Sequence, residues 1–473
     1  MHSQTWPAPQ QAHLHAALSR AYMAVRDYEH WGSEAILAVQ LDPGSTALVA
    51  AVRYLAWKNR PAEAAKLLAS APLPKSAALE AERIRVAAAL LPGTEAKDEL
   101  LRAQRAGLDI DRYTAARALE HVGDAAGANA LLNADPSSRQ HESSQNRQFR
   151  LDVAFDANDA KTAADIIQAQ YADNRNAAQL MPAYAHLVGL APSYLGRGSL
   201  VPIAVCLVVF LLVLAATPGL LMFPAHYRGT VRRRIGKPCT PLFERIGLRH
   251  AWLALAILMA VLYVVGMVRF GGARSFSSGG GGVVRVDWQQ RVAVTHVWAL
   301  AFGALGLIGI GRLLSWREWL GSGQWKASWA LRPAVLLACN VVGTYLLSLQ
   351  ANAHAHVNWT NVPWAVALVH GAESLGGPPL ALLILSVLVP VMEELVFRGA
   401  MLGGLSRHLS FGWANVLQAL TFAGMHQDSR HYVYLFLFGV IAGWLARQTR
   451  GLAMPIVFHA VNNAIFVFWV TAW

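Results

Sequence analysis

The stretch VPVMEELVFRG, residues 389–399, closes the apolar run PLALLILSVLVPVM and sets Glu393, Glu394 and Arg398 at its end. An ionised carboxylate at the centre of a bilayer costs about 2.5–3.5 kcal/mol even on insertion scales. Two in succession therefore call for a role. On a helix, Glu394 stands four residues before Arg398, acid before base, so the two share a face and pair. Glu393 is left on an adjoining face, turned by about 100°, where it is free to take a proton. Pro390 frees the carbonyl of Ser386 and permits a kink. Two more apolar segments carry polar groups. FAGMH sets Phe422 and His426 four apart, and HAVNN sets His459 and Asn463 four apart just after Pro455. A bilayer tolerates such groups where they face the inside of a bundle, and there three helices would build one polar pocket.

Each element alone has a plainer reading. An intramembrane histidine is more often hydrogen-bonded structure than ligand, and Asn463 could bridge helices for about 0.6 kcal/mol. The Glu394–Arg398 pair could be a packing device or part of a proton pathway. The three in this order, at these spacings, are more specific. EELVFR is similar to the EExxxR motif, FAGMH to the FxxxH motif and HAVNN to the HxxxN motif of the CPBP intramembrane proteases, also called Abi or CAAX-prenyl endopeptidase-like proteins. The resemblance covers roughly residues 330–473.

That resemblance implies proteolysis within the membrane by an all-helical bundle. It makes Glu393 the base that activates a water, with Glu394 held by Arg398 in support. It assigns His426 to orienting the water, and His459 and Asn463 to stabilising the oxyanion. The chemistry of peptide hydrolysis agrees: it needs a base for water and donors aimed at the developing O⁻, one donor being worth about 2.7–4 kcal/mol. Glu393, His426 and His459 are also two imidazoles and a carboxylate, the ligand set of several zinc hydrolases. The family has been described both as metalloprotease and as glutamate-dependent protease. No HExxH places both histidines on one helix, which favours catalysis without a metal; a divalent metal such as Zn²⁺ is the alternative cofactor.

The elements that must position these residues are membrane spans. The chain of 473 residues is 55% hydrophobic and 14% charged, with a net charge of +12. Residues 199–473 hold 20 of the 40 Lys and Arg but 7 of the 28 Asp and Glu. Basicity of this kind belongs to loops beside spans, not to a nucleic-acid footprint. Apolar runs near the spanning length of about 20 residues predict a polytopic bundle of about eight helices, at 199–223, 250–270, 292–314, 332–350, 378–397, 411–426, 431–446 and 452–471. NVPWAVALVH (361–370) is too short to span and is expected at the interface. GGARSFSSGGGG (271–282) reads as a loop and not a phosphate cradle. The arginine-rich loop 226–250 carries a cytoplasmic label, and alternation puts 315–331, 398–410 and 447–451 on the same side. The first 198 residues would then lie outside, whereas the absence of a signal-peptide pattern puts them inside; their side stays open.

Those residues form an Ala- and Leu-rich soluble α-helical domain. YEHWGSEAILAVQLDP (28–43), YLAWKNRPAEAAKLLASAP (54–72), ALEHVGDAAGANALLNADP (118–136) and VAFDANDAKTAADIIQAQYADN (153–174) each read as helix, polar turn, helix, like a degenerate tetratricopeptide repeat. HESSQNRQ (141–148) reads as a loop. The expected domains are thus 1–198, a first membrane part at 199–329 and a protease core at 330–473. Cys206 and Cys339 read as small buried hydrophobes, and with Cys239 they imply no disulfide framework. His354, His356, His408 and His431 read as solvated loop residues, Trp359, Trp364, Trp413 and Trp444 as interfacial anchors, and Gly439 and Gly443 as aids to close helix packing.

The leading expectation is an endopeptidase in a bacterial inner membrane, cutting a membrane-associated or lipid-linked protein or peptide. A protein partner is expected on the helical domain, and no nucleic acid. The alternatives are a catalytically idle membrane scaffold whose helical domain binds that partner, and, more weakly, a proton-coupled transporter.

Overall fold

A computed structural model describes residues 6–58, 60–74, 76–134, 142–270, 286–321, 326–353, 364–426 and 431–471. The expected loop 271–282 and residues His354, His356 and Trp359 lie outside them. Every regular element among the described residues is a helix. Packing divides the chain into two units: one runs to Arg175, and the other takes in Asn176–Gly189 and the chain from Leu195 through both expected membrane stretches.

In the first unit, three of the four predicted segments are helix–turn–helix units. Leu48–Trp57 is followed by Pro61–Ser70, Arg112–His121 by Ala125–Asn133, and Ser144–Asp156 by Ala160–Asn174. Acidic turn residues start the second helices: Asp124 accepts from Gly127 N–H and Asp159 from Thr162 N–H, satisfying donors that a helix start leaves unpaired. The first segment differs. Tyr28–Leu41 is one unbroken helix, and Gly32 makes no turn; a Cβ there would sit 1.9 Å from Tyr54 Cδ2, so glycine is what admits the ring. Residues 144–148 are helical, with Ser143 as their cap. Fully buried Ala35, Ala38, Ala51, Ala64, Ala87 and Ala96 let the helices approach closely.

In the second unit, five helices among the described residues are long and apolar enough to cross a bilayer: Gly198–Arg234, Leu248–Arg269, Gln290–Gly311, Val366–Ser406 and Ala453–Thr471. Eight were expected, and two of the three others have a physical cause for falling short. Phe411–Met425 has 15 residues, about 22 Å at 1.5 Å per residue, against a hydrocarbon core near 30 Å. Tyr432–Thr449 has 18 and ends on a charged turn at Arg447. The third, Leu331–Ala353, is a helix of 23 residues. The first two pair with each other: Asn415 Nδ2 donates to Val440 O at 2.9 Å and Gln418 Nε2 to Gly439 O at 2.8 Å. Gly439 lies so close that a Cβ would stand 2.9 Å from Ala419 Cα.

The fourth spanning helix carries the motif and departs most from expectation. Residues 366–370 are its first turns, not a separate interfacial piece, because Leu368, Val369 and Ala372 pack on Val292, Leu300 and Val467. The helix breaks at Gly376–Gly377, where Gly377 adopts φ 70°, a conformation other residues rarely take. It resumes at Pro378. Its far end is tied down: Ser406 Oγ accepts from Leu242 N–H at 2.9 Å, and Arg407 Nε donates to Ile246 O at 2.5 Å. The arginine-rich connection is thereby fastened to the motif helix. Several bland expectations change here. His408 is buried, with its ring 5.5 Å from that of His226, because Gly229 lets it pack down. Cys339 is exposed on its helix and Cys206 is half-buried, so neither is the buried hydrophobe expected.

Candidate active site

The motif helix winds as a π-helix over Ile384–Leu388, as an α-helix over Val389–Glu394, and as a π-helix again over Leu395–Leu402. Such wide turns collect at functional sites, and here they have a local cause. Val389 N–H donates to Ile384 O, five residues back. In the same register Leu385 O would receive from residue 390, and Pro390 has no N–H to give. The orphaned carbonyl is thus that of Leu385, not of Ser386 as α-helical spacing predicts. Asn463 supplies what is missing: its Nδ2 donates to Leu385 O at 2.8 Å.

Glu394 and Arg398 form the expected pair, Arg398 Nη1 donating to Glu394 Oε1 at 2.7 Å with both side chains fully buried. The same oxygen accepts from His459 Nδ1 at 2.8 Å. One buried carboxylate therefore ties the motif helix to the last helix, and its charge is met by a guanidinium and an imidazole. Above the guanidinium lies the Phe422 ring, 4.5 Å from Arg398 Cζ. A cation over an aromatic face is electrostatically favoured, the more so where water is excluded. Phe422 thus has a reason to start the FAGMH segment beyond its spacing to His426.

Glu393 differs from its neighbour in having no short bond. Its side chain is 19% exposed, and its Oε2 stands 3.9 Å from His426 Nε2 and 3.8 Å from His459 Nε2. Both other ring nitrogens are engaged. His426 closes its helix by turning its ring back, Nδ1 lying 2.7 Å from Phe422 O. A carbonyl accepts only, so Nδ1 of His426 carries the proton and the neutral ring's Nε2 is an acceptor. His459 Nδ1 faces Glu394, so its Nε2 also faces Glu393. Separations of 3.8–3.9 Å are too long for direct hydrogen bonds and suit a bridging water.

Of the six residues singled out in the sequence, Glu393, Glu394, Arg398, His426 and His459 converge, and Asn463 lies one turn beyond His459 with one of its two N–H groups on Leu385 O. Sequence reasoning missed the packing of Phe438, whose ring centroid is 5.0 Å from that of His459, and the polar pair Tyr434 and Asn462 beside Asn463. The doubled asparagine in HAVNN was the available signal for Asn462; nothing local marks Phe438 or Tyr434.

A zinc ion would draw on Glu393, His426 and His459, the second ring nitrogens of the two histidines being held by a carbonyl and a carboxylate. Among the described residues, no group of three His, Cys, Asp or Glu side chains is gathered to hold a metal ion. His459 Nδ1 is engaged by Glu394, which leaves one nitrogen from each ring and one carboxylate oxygen spread around Glu393.

Comparison with known proteins falls on this same region. Residues 375–465 match the family described as Type II CAAX prenyl endopeptidase Rce1-like. The chain is 27% identical over 89 residues to the putative membrane peptidase YdiL of Bacillus subtilis, covering 19% of this chain and 36% of that protein. It is 32% identical over 95 residues to the membrane-embedded CAAX protease MroQ of Staphylococcus aureus, covering 19% and 38%. The chain thus spans little more than a third of the length of these relatives. No solved structure matches. Fold and site together define an all-α polytopic membrane protein. Its segment 375–465 matches the Rce1-like CAAX endopeptidase family model and holds the three motifs noted in the sequence.

Proposed function

We propose that the chain is an intramembrane endopeptidase of a bacterial plasma membrane, hydrolysing a peptide bond of a membrane-associated or lipid-linked substrate. The observation that carries the reading is Glu393 Oε2, buried and without a hydrogen-bond partner on a side chain that is itself 19% exposed, with the Nε2 atoms of His426 and His459 at 3.9 and 3.8 Å.

In this reading a water rests between Glu393 and His426, both of which accept its hydrogens. Glu393 takes one proton as the oxygen attacks the scissile carbonyl, and the C–O bond forms as the carbonyl π bond moves onto oxygen. His459, protonated and held by Glu394, donates from Nε2 to that oxyanion, and the second N–H of Asn463 is available to it. As the C–N bond breaks, Glu393 returns its proton to the leaving amine. General-base assistance of this kind contributes about 10²–10⁴-fold. The reaction needs no metal in this scheme. The first unit, with its tetratricopeptide-like helical pairs, recruits the substrate or a protein partner.

The test compares protein termini by mass spectrometry in membranes from cells carrying wild type or Glu393→Gln at equal expression. New termini found with wild type alone, and unaltered by a membrane-permeant chelator, support the reading and name the substrate. Identical termini in both would favour the idle scaffold, and loss of cleavage with chelator would return Glu393, His426 and His459 to the role of metal ligands.

A further inference from the structure

Three side chains form a chain of hydrogen bonds leading to the π-helical turn below the site. Tyr434 Oη donates to Asn462 Oδ1, Asn462 Nδ2 to Asn463 Oδ1 at 3.2 Å, and Asn463 Nδ2 to Leu385 O at 2.8 Å. They come from the last two helices, Tyr432–Thr449 and Ala453–Thr471, and end upon the motif helix. We infer that Tyr434 and Asn462 are positioning residues, which fix the amide of Asn463 and through it the direction of Glu393; this rests on the hydrolytic reading above.

The direction of the chain follows from its last member. A backbone carbonyl can only accept, and Pro390 leaves that of Leu385 without its i+5 donor. Asn463 must therefore turn its NH₂ toward Leu385 and its oxygen toward Asn462. Asn462 must then present its own NH₂ to Asn463 and its oxygen to Tyr434, whose hydroxyl is left to donate. Reversing any one amide would set two acceptors or two donors face to face. The orphaned carbonyl thus orients two amides and one hydroxyl.

The consequence for Glu393 is geometric. The last helix grips the motif helix twice, at Glu394 through His459 and at Leu385 O through Asn463. Two grips, one turn apart on the last helix and nine residues apart on the motif helix, fix both the register and the rotation of the segment between them, Ser386–Glu393. A rotation there would move Glu393 Oε2 away from both Nε2 atoms. It would also shift the free N–H of Asn463 from the place an oxyanion would occupy. Near-attack geometry is sensitive to displacements of this order.

The experiment uses the full chain in lipid nanodiscs, with Tyr434→Phe and Asn462→Asp made in wild-type and Glu393→Gln backgrounds. Hydrogen exchange across 384–394 is read in all of them. Turnover is read on a fluorogenic peptide copying the terminus found in the membrane comparison, alongside a prenylated CAAX peptide. Tyr434→Phe is expected to speed exchange in that segment, and to lower kcat about three- to tenfold with KM unchanged, the worth of one neutral hydrogen bond. Asn462→Asp keeps the acceptor for Tyr434 but opposes two acceptors at Asn463, so its kcat falls further. Unchanged exchange overturns the inference, as does faster exchange with kcat intact, which would make the chain structural only. If Glu393→Gln loses no activity, the hydrolytic reading fails by itself, and exchange in that background still decides whether the chain holds the turn.

Discussion

Two buried clusters in this molecule contain the same residue types and reach opposite results. In the first unit, Glu80 and Glu99 are both buried, beside Arg83 at 3.8 Å and Arg102 at 2.8 Å respectively. In the second, Glu394 is buried with Arg398 at 2.7 Å, and Glu393 stands next to it. Arg83 and Arg102 also bond outward, to the carbonyls of Pro72 and Ala71, so the first cluster knits the ends of helices together. Burial, and then the neighbouring carboxyl of Glu99, push Glu80 up to about 8, above the usual carboxylate range. That acid keeps its proton by staying out of water. In the membrane cluster Arg398 and His459 take up one carboxylate, and the adjacent Glu393 remains partly accessible between two imidazole nitrogens. A buried acid is therefore a poor marker of a site by itself. An accessible acid whose neighbour has already taken the available cation is a better one.

The largest expected effect concerns Glu393, which makes no short bond. Glu393→Gln should abolish cleavage, by about 10²–10⁴-fold, while leaving the thermal unfolding midpoint in detergent unchanged. A large fall in that midpoint would mean that Glu393 belongs to the structure, as Glu80 does. Next comes Arg398→Met, which strands the Glu394 charge in a fully buried place. Breaking one side of a buried pair costs about 3–5 kcal/mol, seen as a lower midpoint or loss of folded protein. Arg83→Met should cost clearly less, because Glu80 near neutral pH retains its proton and leaves no bare charge.

The smallest effect sharpens the contrast through pH. Glu80 binds its proton more tightly folded than unfolded, so its contribution is present below the ordinary carboxylate range and is lost as pH rises toward about 8. Amide protection over 77–105, corrected for intrinsic exchange, should fall across that window in wild type and flatten in Glu80→Gln. Equal slopes in the two would remove Glu80 as the cause.

Much of the membrane site was legible because its parts are locally encoded. Charges in an apolar run are conspicuous against their surroundings, and spacing by four survives any helix, so the pairing of Glu394 with Arg398 followed directly. The span count was less legible. A hydropathy reading cannot tell a lipid-facing helix from one such as Phe411–Met425, whose Asn415 and Gln418 are satisfied by a partner helix. The Gly32 segment misled for a related reason: glycine marks a turn and a close helix contact with the same letter, and only the Tyr54 ring distinguishes them.

The amino-acid sequence by itself determined the all-helical class, the polar groups within apolar segments and the spacing that sets each motif on one helical face. These depend on helix periodicity and on the cost of charge in hydrocarbon, and both act over a few residues. The tertiary structure alone decided which ring nitrogen faces Glu393, that His459 binds Glu394 with its other nitrogen, and that Asn463 serves the carbonyl left bare by Pro390. Those depend on the wide turns at 384–388 and on the register of helices distant in sequence. A hydrogen bond between Asn463 and Leu385 is set by where two helices meet, and no local spacing encodes that.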